Sequence, residues 1–267
     1  MLLVEREWRG VGEDFDAGWT RVGPRITTLL AAAQVGAAVD GAASVPAALE
    51  QSGYPLRQVA RVSPAAFAGV ASDGRRLDSL AYGAVVKARA VDATDLAGRL
   101  RAGSAFLQRA TQLQVADAGR AASQVAIAAT PGAGYVRYVN PPCCQDCAVL
   151  AGKFFRHNAG FRRHPGCDCV HRPTAETEPP RGYAVEIDPA QIKDLTAGQR
   201  AALDEGADLG RVVNAYRGEV PGRRDRMSAT HELATRGRVR LTPDGILAGS
   251  SSREESIALL REHGYLI

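Results

Sequence analysis

The chain has 267 residues, a formal net charge of +4, 45% hydrophobic residues and 23% charged residues. This balance is that of a globular protein and excludes wholesale disorder, and the length suits one large domain or two modest ones. No continuous apolar run approaches the roughly 20 residues of a membrane-spanning helix. The first residues, Met1–Glu7, lack the basic-then-apolar order of a secretory signal. We therefore expect a protein of a reducing cytosol, with no membrane among its partners.

The first half of the sequence has the periodicity of helices. One set of apolar residues recurs at alternating steps of four and three, which places it on one face of a helix that Pro24 either begins or kinks. A second helical region is predicted from about Leu77 to Ala129. The apolar set is Phe15, Trp19, Val22, Ile26, Leu29 and Ala33, and the candidate core leucines of the second region are Leu96, Leu100, Leu107 and Leu113.

The pattern changes after Thr130, where short strand-like segments begin. Aromatic and β-branched residues are concentrated at residues 135–139, 153–156 and 183–187, and such residues favour strands. The segments are separated by proline, glycine and polar residues that favour turns. The second half therefore contains predicted strands that the first half lacks.

Helix boundaries can also be predicted in this second half. Thr196 and Gln199 fit a capping box, and Gly206 is placed to end the helix that the box begins. A second box at residues 251–254 precedes a last helix that Gly264 would end, with Ile257 and Leu260 facing inward and Tyr265 folding back. The predicted class is α+β, with a helical region at residues 1–130 and an α+β module at residues 131–267.

The five cysteines are clustered between Cys143 and Cys169. A Cys-x2-Cys pair followed about twenty residues later by a second close pair has the layout of a tetrahedral structural zinc site. The second pair is either Cys-x-Cys, whose sulfurs would converge from alternate positions of a strand, or His164 with Cys167. One structural zinc ion is therefore predicted. Its candidate ligands are four of the five residues Cys144, Cys147, His164, Cys167 and Cys169.

Two other states of the same cysteines are open at this point. The thiols can be reduced core residues that never bind metal. Alternatively, Cys144 and Cys147 can form disulfides with Cys167 and Cys169 if the protein reaches an oxidising exterior. Cys143 is the odd member and is predicted not to be a ligand.

Catalytic motifs are missing from the sequence. Zinc deaminases place a His-x-Glu before the cysteine pair, whereas every histidine here follows Cys147. His231-Glu232 has no second histidine four residues after the first, so there is no zinc-protease helix. Spacing alone permits a cysteine nucleophile with His164 as its base, but nothing else favours it. We predict that the protein is not an enzyme, with no catalytic residues.

A basic segment lies between residues 217 and 240. Arginine binds phosphate with salt-dependent affinity that does not depend on base sequence, so this segment is a candidate contact for nucleic acid. The alternative is a solvated loop whose arginines pair with acidic neighbours. The arginines are Arg217, Arg223, Arg224, Arg226, Arg236, Arg238 and Arg240.

Two groups of motifs resemble the Mu F-like minor head proteins of tailed phages, in the form found in actinobacteriophages. The first follows the family order of a strand, Cys-x2-Cys, a Leu-x-Gly-Lys-x-Phe-like step and His-Pro-x-Cys-x-Cys. The second is similar to the end of these proteins, except that Glu205 stands where they have aspartate and Tyr216 where they have arginine. The matching segments are 135–138, 144–147, 150–155 and 164–169 in the first group, and 195–199, 205–218 and 252–265 in the second.

The resemblance covers about residues 110–267 and carries expectations about function. It implies a minor structural protein of a phage or prophage head, located in the virion and, during assembly, in the host cytoplasm. Such a protein acts near the portal in head morphogenesis, with the portal protein, the major capsid protein or both as partners, and with packaged DNA as the candidate contact of the basic segment. In this reading the helical region at residues 1–130 contacts portal or capsid. The alternatives are a phage-borne DNA-binding protein and, after it, a toxin-like enzyme.

Overall fold

The computed structural model of the protein describes residues 2–92, 95–159, 166–177, 187–215 and 240–267. Its helical first half and small antiparallel sheet in the second half confirm the α+β class. The strands are Ala133–Tyr138 (β1), Phe154–Phe155 (β2) and Val170–Ala175 (β3). The helices are Leu2–Arg9 (α1), Phe15–Gln51 (α2), Leu77–Ala81 (α3), Gly83–Ala90 (α4), Leu96–Ala128 (α5), Gln145–Leu150 (α6), Ala197–Asp204 (α7), Leu209–Ala215 (α8), Pro243–Gly249 (α9) and Arg253–Glu262 (α10).

Helix α2 begins at Phe15 because the Asp14 carboxylate accepts hydrogen bonds from the first backbone N–H groups of the helix. Pro24 lies inside α2, so the alternative that the helix begins at Pro24 is wrong. The predicted apolar stripe holds as far as Ile26, but Ala33 is exposed and Gln34 is buried instead. The buried positions beyond Ile26 are Leu30, Gln34, Ala38, Val45 and Leu49, and their spacing of four or seven residues keeps them on one face of the helix.

Small residues allow α2 and α5 to pack closely. A Cβ atom built on Gly41 of α2 would overlap the carbonyl oxygen of Gly119 in α5. The Ser123 hydroxyl of α5 donates a hydrogen bond of 2.8 Å to the Gly41 carbonyl oxygen. Ala38 and Ala122 are fully buried in the same region. The two helix backbones are therefore in direct contact at Gly41.

We predict that Gly41→Ala destabilises the protein by about 1–3 kcal/mol, because the added methyl group overpacks the interface with α5. Gly36→Ala, on the same helix, is the matched control, since no atom lies within 4 Å of its added Cβ. That change should stabilise by about 0.5–1 kcal/mol through the higher helix propensity of alanine. Urea denaturation of the two variants checks both signs, and equal effects would contradict the close approach at Gly41.

Among the described helices, α2 alone is long and apolar enough to cross a membrane by length and composition, with a mean hydropathy of 1.3 over 18 residues. A core helix of a soluble protein passes the same test. In this structure α2 packs along α5 through its buried face.

Strand β1 is the central strand of the sheet, with β2 and β3 antiparallel on its two sides. The strands predicted at residues 135–139 and 153–156 are thereby confirmed. Most of the segment predicted at 183–187 lies outside the described residues, and Ile187 is buried but not in a strand. Strand β3 was not predicted, because Pro173 interrupts its pattern; an edge strand accommodates proline because one side of it makes no ladder hydrogen bonds.

The predicted helix boundaries of the second half are largely confirmed. Thr196 and Gln199 form a reciprocal capping box at the start of α7, and Gly206 follows that helix with a φ of +89°. The N-cap of the last helix is Ser252, one residue after the predicted Ser251, because the Ser252 hydroxyl accepts from the Glu255 amide. The Glu255 carboxylate accepts from the Ser251 amide, so the bonds do not form the predicted reciprocal box. Gly264, at φ +71°, ends α10.

The C-terminal residues pack against the first half of the chain. Arg61 and Ile267 exchange backbone hydrogen bonds of 3.0 and 2.9 Å, and the Ser63 amide donates to the Tyr265 carbonyl oxygen at 2.8 Å. The largest hydrophobic core contains residues from α2 and α5 together with residues of the sheet and α10. The core therefore extends across the predicted boundary at residue 130.

Arg253 of α10 joins this last helix to the end of α5. Its guanidinium donates to the carbonyl oxygens of Ile127, Ala128 and Thr130 at 2.8–3.0 Å and to that of Ala133 at 2.7 Å. It also forms an ion pair of 2.8 Å with the Glu176 carboxylate, next to β3. The final carbonyl groups of a helix lack hydrogen-bond donors within the helix. Here Arg253 is a donor to the last two carbonyl groups of α5, those of Ile127 and Ala128.

We predict that Arg253→Ala lowers the free energy of unfolding by about 3 kcal/mol, because it leaves partly buried carbonyl groups and Glu176 without this donor. Arg261→Ala, in the same helix, should change it by no more than about 0.5 kcal/mol, since Arg261 is exposed and makes a single hydrogen bond of 3.4 Å. Chemical denaturation at neutral pH measures both, and comparable losses would show that the Arg253 cap is unimportant.

Candidate metal centre

Three buried cysteines from two separate segments meet beside the sheet. The sulfurs of Cys147, Cys167 and Cys169 all lie within 4.8 Å of one another, and the Cys147 and Cys167 sulfurs are 3.5 Å apart. Four thiolates around zinc, with Zn–S bonds of about 2.3 Å, have neighbouring sulfurs about 3.8 Å apart. The group is therefore close to the spacing that a tetrahedral metal ion requires. The structure thus brings together three of the five predicted ligands.

The first segment is a turn that leads into α6. Cys144 is the N-cap of α6, and its sulfur accepts a hydrogen bond of 3.4 Å from the Cys147 amide. The thiols of Cys144 and Cys147 also interact directly. Cys144 is half-buried and lies outside the group of three, but it adjoins that group through Cys147.

The second segment enters the sheet from a tight turn. Gly166, directly before Cys167, adopts a φ of +82°, a backbone conformation that favours glycine. Cys169 directly precedes β3, so the two cysteines lie before the strand. The alternating Cys-x-Cys pattern had predicted that they lie within it. The Asn140 side chain fixes this turn by donating to the Asp168 carbonyl oxygen at 3.3 Å.

A buried glutamine pair connects the cysteine helix α6 to the capping box of α7. The Gln199 side-chain amide donates to the Gln145 side-chain oxygen at 2.8 Å, and both residues are almost fully buried. The Gln145 backbone amide also donates to the Asp194 carboxylate at 2.7 Å. Gln199 thus caps its own helix and also binds Gln145, the first residue of α6 and the neighbour of Cys144. The two groups of motifs found in the sequence are therefore in direct contact.

Arg137 of β1 places a positive charge against the sulfurs. One of its terminal nitrogens lies 3.7 Å from the Cys147 sulfur and 3.6 Å from the Cys167 sulfur, and the residue is only 2% exposed. Its backbone is hydrogen-bonded to Gly152 and Lys153, both at 3.0 Å, which fixes the side chain's point of attachment. Burial by itself lowers the pKa of Arg137, but the three neighbouring cysteine sulfurs outweigh burial and raise it.

The thiols differ in their tendency to ionise. Contacts with the thiols of Cys147 and Cys169 lower the pKa of Cys167, and the nearby Arg137 guanidinium acts in the same direction. Contacts with the surrounding thiols raise the pKa of Cys147. Cys167 is therefore the sulfur on which the cluster most readily carries negative charge.

Cys143 has a structural position away from the three sulfurs. Its backbone forms a parallel β-bridge with Ile192. The Cys143 amide donates to the Gln191 carbonyl oxygen at 3.0 Å, and the Lys193 amide donates to the Cys143 carbonyl oxygen at 2.9 Å. Burial raises the pKa of its thiol to about 11. The residue is therefore suited to the core and poorly suited to metal binding at neutral pH.

The histidines contribute less to the described site. His164 lies outside the described residues. His171 is buried on β3 opposite Arg137, and its ring packs edge-on against Tyr135 at 4.6 Å. His157 hydrogen-bonds to Glu176 at 3.3 Å, and burial together with the charge of Arg253 lowers its pKa. Neither His157 nor His171 belongs to the described group of convergent ligands.

A largely apolar cavity of about 570 Å³ opens between α5 and the turn that carries Cys167. Its lining includes Gly166, Cys167 and Asp168 together with Phe106 and Leu113 of α5. Among the three clustered cysteines, Cys167 is the one that lines this cavity.

The basic segment lies mostly outside the described residues, including Arg217, Arg223, Arg224, Arg226, Arg236 and Arg238. Arg240 is described, and its guanidinium donates to the carbonyl oxygens of Ala66 and His263. The same group stacks over the Tyr265 ring at 4.1 Å. In the described part of the chain Arg240 thus makes structural contacts, and DNA contact by this segment stays a prediction.

Sequence reasoning did not identify Arg137, Gln145 or Gln199 as residues of the site. For Arg137 a signal was present, since it is the only charged residue in the apolar run of residues 133–139. For the glutamines the sequence offers no comparable signal, because their contact joins residues 54 positions apart.

Comparisons of the chain with protein-family models, with curated proteins and with solved structures found no match. The likeness to Mu F-like head proteins therefore remains a prediction based on the sequence motifs.

Proposed function

We propose that the protein is a non-enzymatic structural component of a tailed-phage head that acts near the portal, and that its cysteine cluster binds one zinc ion. The observation that carries the metal assignment is the convergence of three buried sulfurs around a buried guanidinium. Thiolates suit zinc, which is borderline soft and has no redox change of its own. Such an ion would join α6 to the segment before β3.

Metal-bound thiolates account for the position of Arg137 better than inert core thiols do. Its guanidinium lies 3.7 and 3.6 Å from the sulfurs of Cys147 and Cys167, and a charged donor interacts more strongly with a thiolate than with a neutral thiol. A disulfide between Cys147 and Cys167 would remove two of the sulfurs that can carry negative charge beside Arg137.

We propose Cys144 as the fourth ligand. It shares a turn with Cys147, its sulfur already contacts that residue, and its partial exposure lets it turn toward the other sulfurs. The predicted alternative is His164. Four thiolates and three thiolates with one imidazole differ in their absorption when cobalt replaces zinc, because each thiolate adds to the charge-transfer band.

We predict that the purified, reduced protein contains one zinc ion per chain, measured by elemental analysis. Cys147→Ser should lose most of this zinc and should unfold at a lower temperature, because metal bound only by the folded state stabilises it, by about 4 kcal/mol at a thousandfold excess over Kd. Cys143→Ser is the matched control and should keep its zinc.

The outcomes separate the alternatives. Protein without zinc after purification and after incubation with Zn²⁺ would reject the metal site. Retention of zinc by Cys147→Ser would reject this ligand set. With cobalt, a weaker charge-transfer band in Cys144→Ser, with unchanged cobalt binding in His164→Ala, supports four thiolates. An unchanged band in Cys144→Ser, together with weaker cobalt binding in His164→Ala, assigns the fourth position to His164.

The role in a phage head is supported by the two groups of sequence motifs and by their proximity. The cysteine motif and the Thr196–Gln199 motif occur in the order found in Mu F-like proteins. Gln145 lies within the first and contacts Gln199 of the second, so both belong to one packed unit. The long helices α2 and α5 share a hydrophobic core with this unit, and we propose them as the elements that dock on portal or capsid.

We predict that the protein co-purifies with phage heads produced by the strain that encodes it, at low copy number relative to the major capsid protein. Quantitative mass spectrometry of gradient-purified particles measures this. Cys147→Ser should reduce incorporation severalfold, whereas Cys143→Ser should be incorporated normally. Particles that lack the protein, together with normal head assembly after deletion of its gene, would contradict the proposed role.

A further inference from the structure

Arg137 is a residue of the sheet whose guanidinium contacts the sulfurs of the cysteine cluster. In antiparallel strands the residues directly opposite each other point to the same face, so Arg137 shares a face of the sheet with His171, its partner on β3. Tyr135, two residues earlier, lies on that face too and contacts the His171 ring. Cys169 lies just before β3, and its sulfur is within 4.8 Å of the Cys147 and Cys167 sulfurs that the Arg137 guanidinium contacts. This face of the sheet therefore presents Arg137 to the cysteine cluster.

Binding of a metal ion would set the net charge of the cysteine cluster beside this face of the sheet. A zinc ion with four thiolates carries a net charge of about −2, and burial of uncompensated charge is strongly unfavourable. The Arg137 guanidinium lies within 3.7 Å of two of the sulfurs and offsets part of this charge. Hydrogen bonds from a charged donor to sulfur also favour the thiolate over the thiol.

We infer that Arg137 is a positioning residue of the metal site, whose positive charge sets the affinity of the cysteine cluster for zinc. This inference rests on the proposed zinc site and adds to it a residue that does not bind the metal. Outer groups that orient and polarise metal ligands typically contribute a factor of about 10–100 to metal affinity. The charge, rather than the size of the side chain, is the property on which the inference depends.

The test compares a neutral and a charged replacement by competition for Zn²⁺ with a chromophoric chelator. Arg137→Gln keeps an N–H donor but removes the charge, and its zinc affinity should fall by about 10–100-fold. Arg137→Lys keeps the charge and should stay within a few-fold of wild type. Arg172→Met is the control, because Arg172 is exposed and pairs with Val136, one residue from Arg137 and hence on the opposite face of the sheet.

A spectroscopic measurement separates this role from simple packing. In the cobalt-loaded protein, loss of the positive charge beside the thiolates should move the thiolate-to-cobalt charge-transfer band of Arg137→Gln to lower energy. Arg137→Lys should keep the band near its wild-type position. A change that affected folding alone would leave the band of the folded, cobalt-loaded fraction in place.

Each outcome can be assigned. Wild-type protein that binds no zinc overturns the proposed metal site itself. Wild type that binds zinc, with equal affinity in Arg137→Gln, overturns only the role of Arg137, as does Arg137→Lys binding as weakly as Arg137→Gln. If Arg137→Gln does not fold, the rise in melting temperature on adding Zn²⁺ is compared between wild type and Arg137→Lys. A much smaller rise in the folded lysine variant also overturns the inference.

Discussion

The arrangement of the second half depends on the contact between a buried guanidinium and a group of buried sulfurs. Arg137 projects from the central strand into a region where sulfurs of Cys147 and Cys167 are its neighbours. A guanidinium interacts more strongly with thiolates than with neutral thiols. The arginine therefore favours the ionised state of the cysteines, which is the state that binds a metal ion.

A second arginine, Arg253, connects the helical half of the chain to the α+β half. Arg253 reaches from the last long helix to the end of α5, where helix carbonyl groups lack partners, and it binds Glu176 beside the sheet. The C-terminal backbone then pairs with residues 61–63 of the first half. The result is a common core, so a change in the second half is expected to affect the helical half as well.

These features are the basis of the structural role that we propose. The three cysteines are buried, Arg137 lies against two of their sulfurs, and they come from α6 and from the segment before β3. Helices α2 and α5 pack closely at Gly41 and share a hydrophobic core with the second half. This closely packed pair of long helices is consistent with the structural role in a head that we propose.

The sequence by itself determined those features that depend on neighbouring residues: the helix cap at Thr196, the glycine stops at Gly206 and Gly264, and the cysteine spacing that places two sulfurs on one turn. The tertiary structure alone decided that Gln34 is buried and Ala33 is not, that β3 forms despite Pro173, and that Arg137 faces the sulfurs. Caps and turns are satisfied by hydrogen bonds within a few residues, so local sequence specifies them. Burial and charge pairing depend on which distant segment packs against a residue, and that is settled only when the whole chain has folded.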